Sequence, residues 1–248
     1  MIGLVGSGNM ARALARGWGE PVLCTDAIPE RAEELAAETG GEALAGNGEL
    51  ADRADFIVLC HKPAQLGQVA EQVGGRARGV VSILGSTPLR DVRAAYGDTP
   101  VVRMLPSTPV EVAAGVTCHA RDPHADPDFE ARVRATFERV GPVVTVEESQ
   151  IDAAMGLMSN APAYWAVVVE AQVDAGIKAG VPADVAAELV VGTMAGTAEL
   201  LRARGHDTLI VRRQVMSPGG STARGLAALE AGGVRRAFDD AMQAVVRG

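Results

Sequence analysis

The sequence begins MIGLVGSGNMARAL, residues 1–14, and this stretch carries the main evidence about the architecture of the 248-residue chain. An apolar run ends at Gly6 and apolar residues then recur at helical spacing, which predicts a strand, a tight turn and a helix. The turn fits GxGxxA, where the first glycine permits the bend and the second lets a pyrophosphate approach the helix N-terminus. We therefore predict a bound dinucleotide, contacted here by Gly6, Ser7, Gly8, Asn9 and Met10.

Short apolar runs alternate with helical patterns through the first half of the chain. The run at residues 22–24 is followed by a helix that starts at Pro29, which completes a βαβ unit. Such alternation predicts a Rossmann-type, mostly parallel α/β sheet with helices on both faces. Further strands are expected at residues 56–60, 80–84, 101–104, 116–119 and 143–146.

Asp26 bears on which dinucleotide the chain uses. An acid at the end of the second strand accepts hydrogen bonds from the adenosine ribose hydroxyls and repels a 2′-phosphate. NADPH and NADH both stay open, because Arg31 lies one helical turn further on and its charge suits a phosphate. Asp26 shifts the expectation slightly toward NADH. The alternative for Asp26 is an N-cap of the following helix, which does not exclude a ribose contact.

The second half of the sequence changes character after Glu147. Residues 151–246 carry no persuasive strand pattern, so we expect a Rossmann domain over residues 1–147 and an all-helical domain over residues 148–248. The first two helices of that domain, expected at residues 151–179 and 183–204, are apolar around too much of their circumference to face water. This predicts self-association as a homodimer or a higher oligomer.

Composition argues against several classes of function. The formal net charge of −8, with no cluster of Lys and Arg, argues against a nucleic-acid partner. No apolar stretch reaches the roughly twenty residues of a membrane span, and the start lacks the pattern of a secretory signal. Cys24, Cys60 and Cys118 are isolated in apolar runs, which predicts free thiols and a cytoplasmic location. The histidines show no metal-ligand spacing, so no metal is expected.

The stretch SPGGST, residues 217–222, precedes a helix expected over residues 223–231. Its paired glycines let successive backbone N–H groups point outward at the positive end of that helix. Such a turn suits the carboxylate or phosphate of a ligand. The alternative is an ordinary loop in which Thr222 caps the helix, although this leaves the paired glycines unexplained.

Five motifs, in order over essentially the whole chain, resemble the Δ1-pyrroline-5-carboxylate reductase family. They are GLVGSGNMA at 3–11, HKPAQ at 61–65, VRMLPSTPV at 102–110, APAYW at 161–165 and MSPGGSTARGLAALEAGGVRRAFDDAM at 216–242, the most specific of the five. The resemblance implies an NADPH- or NADH-dependent oxidoreductase that reduces 1-pyrroline-5-carboxylate to L-proline, the last step of proline biosynthesis. It also implies a helical dimerisation domain, with the nicotinamide between the two domains.

The resemblance implies roles for individual residues. Backbone amides of the SPGGST turn hold the substrate carboxylate, the Thr222 hydroxyl lies near the ring nitrogen, and Gln214 lies beside the substrate. Thr222 and Gln214 are thus the expected catalytic residues. The expected substrate-binding residues are Ser217, Gly219, Gly220, Ser221 and Thr222, and those expected to line the cofactor after the fourth and sixth strands are His61, Lys62, Pro63 and Ser107.

The chain departs from the family pattern around the pocket. It has MSNAPAY at 158–164 where the family commonly has SGSGPAY, and ILGS at 83–86 where the family has alanine and glycine. Ser107 replaces the usual asparagine, and His61 stands at a usually small, apolar position. His61 follows the carboxyl edge of a strand, where it either meets a ligand or points into solvent.

Three alternatives therefore stay open. The chain is a reductase of another carboxylated cyclic imine, six-membered or sulfur-containing, or a non-catalytic dinucleotide sensor of the same fold. The third is a β-hydroxyacid dehydrogenase. It needs a catalytic lysine within the first long helix of the second domain, but Lys178 lies at the end of that helix.

Overall fold

The computed structural model describes residues 1–246, which form two compact units divided after Pro162. The first unit contains one eight-stranded sheet in the order β3-β2-β1-β4-β5-β6-β7-β8. All neighbouring strands are parallel except β6 and β7, which are antiparallel. The strands are β1 Ile2–Val5, β2 Leu23–Thr25, β3 Glu42–Ala43, β4 Phe56–Leu59, β5 Val80–Ser82, β6 Val101–Pro106, β7 Thr117–Ala120 and β8 Val143–Val146.

Helices connect the parallel strands, as the alternating pattern predicts, and the Rossmann-type fold is confirmed. The reversal of strand order between β1 and β4 places a crevice at the carboxyl ends of these strands, where such sheets bind ligands. The helices of the first unit are α1 Asn9–Trp18, α2 Pro29–Thr39, α3 Asn47–Arg53, α4 Leu66–Val73, α5 Leu89–Tyr96, α6 Pro127–Glu138 and α7 Ile151–Met158, with 3-10 turns at Pro63–Gln65, Thr108–Val112 and Glu148–Gln150.

The central strands are buried on both faces, which explains why they read as continuous apolar runs. In β4, Val58 packs into one core cluster while Ile57 and Leu59 pack into another, because successive side chains point to opposite faces. Trp18 and Phe137 meet edge to face in the first cluster, with ring centroids 5.6 Å apart. These two apolar layers hold the carboxyl ends of the strands in place beneath the site.

The second unit is all helical over its described residues, as predicted. Its helices are α8 Ala161–Lys178, α9 Ala183–Ala203, α10 Thr208–Val215, α11 Ser221–Ala231 and α12 Val234–Val246. Large apolar side chains remain exposed on it, among them Trp165, Val167, Leu189 and Val191. Exposed apolar surface of this extent is typical of a face that another subunit covers.

The long helix expected at residues 151–179 is wrong as a single element. The structure has α7 and α8 instead, with a break at Ser159 and Asn160. Pro162 explains the break, because a proline lacks the N–H that a continuous helix needs and its ring clashes with the carbonyl of Met158. The compact first unit consequently includes α7 and runs past residue 147, while the domain boundary between residues 147 and 148 stays a prediction.

No helix within residues 1–246 is long and apolar enough to cross a membrane. The three cysteines are free thiols, and Cys24 and Cys118 are buried.

Candidate functional site

The glycine-rich turn after β1 depends on Gly6. Its φ of +101° is rarely adopted by residues with a side chain. A Cβ at this position would lie 2.9 Å from the backbone carbonyl of Cys60 and from the backbone nitrogen of His61. The turn therefore passes directly over the carboxyl end of β4, and only glycine fits there.

Gly8 is the N-cap of α1 and has an ordinary φ of −77°. No side chain caps this helix, so its first N–H groups stay available to a ligand. A Cβ on Gly8 would meet no atom within 4 Å. The open space and the positive end of the helix fit a pyrophosphate, although the contacts expected from Gly6 to Met10 stay a prediction.

Ser7 has both of its donors in use within the protein. Its backbone N–H donates to Asp26 Oδ2 at 2.7 Å and its hydroxyl to the carbonyl of Thr25 at 3.2 Å. The side chain is 1% exposed. Ser7 thus joins the glycine turn to the end of β2 and presents no unused donor.

Asp26 is half-buried where β2 ends, and it accepts a second hydrogen bond from the Ile28 N–H at 2.9 Å. Ile28, not Asp26, is the N-cap of α2, and Pro29 follows it. The N-cap alternative is therefore wrong. A carboxylate has about four lone-pair positions, so Asp26 keeps capacity for ribose hydroxyls. Arg31 is exposed in the first turn of α2.

A cavity of about 240 Å³ opens at the carboxyl ends of β4, β5 and β6. It brings the predicted residues Met10, His61 and Pro63 together with Gly85, from the altered ILGS stretch, and with Met155, which sequence reasoning did not single out. All of its lining residues belong to the first unit. The cavity lies on the β4 side of the crevice where strand order reverses. This place fits the nicotinamide end of a dinucleotide whose pyrophosphate is expected at α1.

His61 does not point into solvent. Its Nδ1 lies 2.9 Å from the carbonyl oxygen of Lys62, whereas its Nε2 is buried and has no hydrogen-bond partner within the described chain. Burial lowers the pKa of His61 below 6.5. A carbonyl only accepts, so Nδ1 carries the proton and Nε2 of the neutral ring is an acceptor.

Two other predicted cofactor residues lie near this cavity but do not line it. Lys62 is exposed, and its backbone N–H donates to Gln65 Oε1 at 3.2 Å. Ser107 is buried, and its hydroxyl exchanges two hydrogen bonds with the backbone of Val116, at 2.9 and 3.0 Å. The Ser107 side chain therefore holds β6 to the segment before β7.

Arg103 holds a segment that lines the cavity, and the sequence analysis did not predict this role. It is 4% exposed in β6, and its Nη2 donates to the carbonyl of Gly85 at 2.6 Å. Gly85 itself lines the cavity. The signal was present in VVRMLP, residues 101–106, where a lone arginine interrupts an apolar strand. A buried charge in such a strand indicates a specific partner.

The SPGGST turn lies in the second unit and opens α11. Gly219 has φ +71°, and Gly220 is the N-cap of the helix, with no side chain capping it. The helix begins at Ser221, two residues before the expected start, so the alternative in which Thr222 caps it is wrong. The Gly220 N–H donates to the Ser217 carbonyl at 3.0 Å. The free donors of the turn are consequently the N–H groups of the first helical residues.

Arg224 adds a positive charge that sequence reasoning did not include. Its Nη1 donates to the carbonyl of Gly219 at 2.7 Å and so closes the turn from within α11. Gln214 is exposed in the last turn of α10, and Thr222 is half-buried. A helix N-terminus with an arginine beside it attracts a carboxylate. The catalytic roles expected for Thr222 and Gln214 stay predictions.

Comparison with known proteins covers both halves of the chain. The family model described as "Pyrroline-5-carboxylate reductase dimerisation" matches residues 148–248, and that described as "NADP oxidoreductase coenzyme F420-dependent" matches residues 1–85. The pyrroline-5-carboxylate reductase of Synechocystis sp. is 34% identical, over 99% of this chain and 96% of that protein. The one from Mycobacterium tuberculosis is 33% identical, over 98% and 93%.

Solved structures agree with this similarity. A pyrroline-5-carboxylate reductase from Coxiella burnetii is 27% identical with a TM-score of 0.87, covering 99% of this chain and 96% of that one. The Plasmodium falciparum pyrroline carboxylate reductase, solved with NADP bound, has the same TM-score of 0.87 at 24% identity, covering 98% and 94%. At 24% identity, the similarity to the Plasmodium falciparum protein shows a shared fold alone.

Proposed function

This chain belongs to the pyrroline-5-carboxylate reductase family and has its NAD(P)H-dependent reductase function, and we propose how its residues bind and reduce the imine. The substrate, 1-pyrroline-5-carboxylate, carries a carboxylate on its ring and a C=N bond in the ring. Reduction of that bond gives L-proline. One observation carries the substrate assignment: α11 starts at a glycine N-cap with no side-chain cap and with Arg224 beside it. That arrangement suits the carboxylate that every substrate of this class carries.

Reduction of a protonated cyclic imine needs few special residues. When bound, a reduced nicotinamide supplies a hydride to the imine carbon. The electron pair of the C=N bond then moves to the nitrogen, which already carries its proton, so no group leaves. The protein's task is to hold the ring and exclude water, which is catalysis by positioning.

We assign the positioning of the imine ring to the C-terminal end of α10 and the N-terminal end of α11. The N–H groups of Ser221 and Thr222 hold the carboxylate, because they lie in the first helical turn and lack intrahelical partners. The Thr222 hydroxyl faces the ring nitrogen, and Gln214 lies beside the ring. Gly219 and Gly220 contribute the shape of the turn, since the Gly220 N–H is already donated to Ser217.

The cofactor is a nicotinamide dinucleotide, and we propose that NADH is preferred. The preference rests on Asp26, whose half-buried carboxylate lies at the end of β2 beside the glycine turn. A carboxylate there accepts from the ribose hydroxyls of NADH and repels the 2′-phosphate of NADPH. One matching family model and one similar structure carry NADP in their names, so this preference is a departure to be measured.

Self-association follows from the dimerisation match over residues 148–248. We propose a homodimer at minimum, in which the exposed apolar side chains of α8 and α9 are covered by the partner subunit. We also propose a cytoplasmic location, because isolated free cysteines suit a reducing compartment.

The test is to mix the protein with pyrroline-5-carboxylate and NADH or NADPH and to follow the loss of reduced-cofactor absorbance. Six-membered and sulfur-containing imines run in parallel. Fastest turnover of pyrroline-5-carboxylate supports the proposal, and turnover of another imine alone overturns the substrate assignment. If none of the imines causes oxidation of the reduced cofactor, the protein binds a dinucleotide but lacks this activity.

A matched pair of variants places the activity at the turn. A Cβ on Gly220 overlaps Ser217 Oγ, whereas one on Gly225, also in α11, meets no atom within 4 Å. Gly220→Ala is expected to raise the KM for the imine about tenfold, as expected for loss of one charge-assisted hydrogen bond. Gly225→Ala should leave it unchanged, and both should bind reduced cofactor normally. Equal loss of cofactor binding in Gly220→Ala contradicts the assignment.

A further inference from the structure

His61 Nε2 is one of four buried side-chain atoms that have no hydrogen-bond partner in the described first unit, and its ring is the one that lines the cavity. It is buried, it has no partner among residues 1–246, and its ring lines the cavity at the carboxyl ends of β4, β5 and β6. Buried polar atoms in folded proteins are nearly always hydrogen-bonded to protein, water or ligand. The described protein therefore supplies Nε2 with no donor.

The chemistry of the missing donor follows from the tautomer. Nδ1 donates to the Lys62 carbonyl at 2.9 Å, and burial favours the neutral ring, so Nε2 can only accept. Most other side chains that line the cavity are apolar, among them Met10, Leu105 and Met155. The exception is Ser159, whose hydroxyl donates to the Met158 sulfur at 3.0 Å. Desolvation raises the pKa of the half-buried Cys60 thiol, which stays uncharged.

The cavity has room for a planar ring. Its volume of about 240 Å³ compares with the roughly 30 Å³ that one water occupies in the liquid, so it holds a group of the size of nicotinamide between mostly apolar walls. The hydrogen-bond donor of nicotinamide is the NH₂ group of its carboxamide, which has two N–H bonds. The imine substrate is assigned to the other unit, at α11, whereas every lining residue here belongs to the first unit.

We propose that His61 is a cofactor-positioning residue: a small turn of its ring, which lines the cavity, exposes the covered Nε2, which then accepts a hydrogen bond from the carboxamide NH₂ of the nicotinamide. This rests on the proposed function, because it requires a nicotinamide in the cavity. The contact fixes the rotation of the ring about its bond to the ribose and so selects the ring face that meets the imine.

The experiment compares two reduced cofactors in a binding titration without imine. One is the dinucleotide that the protein binds more tightly, and the other is its reduced 3-acetylpyridine analogue, in which a methyl ketone replaces the carboxamide and removes the N–H. The proteins are the wild type, His61→Ala, His61→Gln and the control His124→Ala, which changes an exposed loop histidine.

The expected result is a selective loss. His61→Ala weakens binding of the natural cofactor by roughly 2- to 10-fold, as expected for loss of one hydrogen bond, and leaves binding of the analogue unchanged. His61→Gln, whose amide carbonyl accepts, recovers part of the loss, and His124→Ala matches the wild type. Equal weakening of both cofactors means that His61 only packs, and no weakening means that a water is its partner; either result overturns the proposal.

Failure of this inference is distinguishable from failure of the proposed function. A wild type that binds no reduced dinucleotide overturns both. A wild type that binds cofactor and reduces the imine, with a His61→Ala variant that treats both cofactors alike, overturns only the role of His61. Thermal unfolding of each variant checks that the fold is retained.

Discussion

Arg103 Nη1 donates a hydrogen bond to Glu148 Oε1 at 2.6 Å, and this ion pair joins the core strand β6 to the turn that precedes α7. The arginine side chain is 4% exposed and the glutamate 36%. The same carboxylate oxygen accepts from the Leu89 N–H at 2.9 Å. Through these bonds one carboxylate fixes the segments that carry Gly85 and Met155, which line the cavity.

Removing Glu148 should destabilise the protein strongly. Glu148→Ala leaves the buried Arg103 charge unpaired, which in a fully buried pair costs about 3–5 kcal/mol. Partial exposure of Glu148 reduces the expected cost to about 2–3 kcal/mol, or a fall in Tm of about 4–12 °C. Glu20→Ala is the control, because it breaks an exposed pair with Arg139. Similar Tm values for the two variants at one protein concentration contradict this reading.

Gly6 and Gly8 should fail in different ways when each is replaced by alanine. Gly6→Ala forces a Cβ into φ +101° against the backbone of Cys60, which should lower stability by about 1–3 kcal/mol. Gly8→Ala meets no protein atom, so its stability should stay within about 1 kcal/mol, while the added methyl fills the pyrophosphate space. Its Kd for reduced dinucleotide should rise about tenfold or more. Unfolding curves and cofactor titrations measure both, and unchanged cofactor affinity in Gly8→Ala places the pyrophosphate elsewhere.

Asp26→Asn should shift the cofactor preference toward NADPH. The amide carries no charge to repel a 2′-phosphate, so the ratio of kcat/KM for NADH to that for NADPH should fall about tenfold, or about 1.4 kcal/mol. Asparagine keeps one acceptor oxygen for the two backbone N–H groups of Ser7 and Ile28, so a modest loss of stability accompanies the shift. Glu30→Gln, on α2, is the control. A ratio that does not change shows that Asp26 does not meet the ribose.

Stability should fall as the pH drops below about 6.5. Burial lowers the pKa of both His61 and His119 from 6.5 in the folded state. The unfolded chain therefore binds more protons in this range, and each histidine costs up to about 1.4 kcal/mol per pH unit between its unfolded and folded pKa values. Glu130, 3.6 Å from His119 Nε2, opposes this effect, while Arg134 and Arg121 add to it.

The check is the difference in Tm between pH 7 and pH 5. A His61→Gln, His119→Gln double variant should show a smaller difference than the wild type. Replacement of the exposed His124 by alanine serves as the control for loss of a histidine. A double variant that loses as much Tm as the wild type assigns the acid sensitivity to other groups.

The sheet was largely predictable from the sequence because its strands are buried on both faces. Seven of the apolar runs correspond to strands, but β3, Glu42–Ala43, was missed since two residues at a sheet edge need no apolar run. The break at Ser159 was missed although Pro162 signals it. A two-residue strand and a two-residue helix break are both too short for hydrophobic periodicity over a long window to detect.

The candidate site was predictable only in part. Gly6, Gly8 and the SPGGST turn follow from local backbone chemistry, and the structure gives each the expected turn geometry. The use of the Gly220 N–H within its own turn, and of both Ser7 donors by the end of β2, depends on hydrogen bonds that composition does not reveal. The cavity formed with Gly85 and Met155 depends on packing between segments far apart in the chain.

The central claim is that the start of α11 binds the carboxylate of the ring that is reduced. The most direct measurement is a crystal structure of the protein with L-proline and the oxidised dinucleotide. The account predicts proline carboxylate oxygens within hydrogen-bond distance of the backbone nitrogens of Ser221 and Thr222, about 2.7–3.2 Å. A carboxylate bound to other residues, with the first turn of α11 left to water, contradicts it.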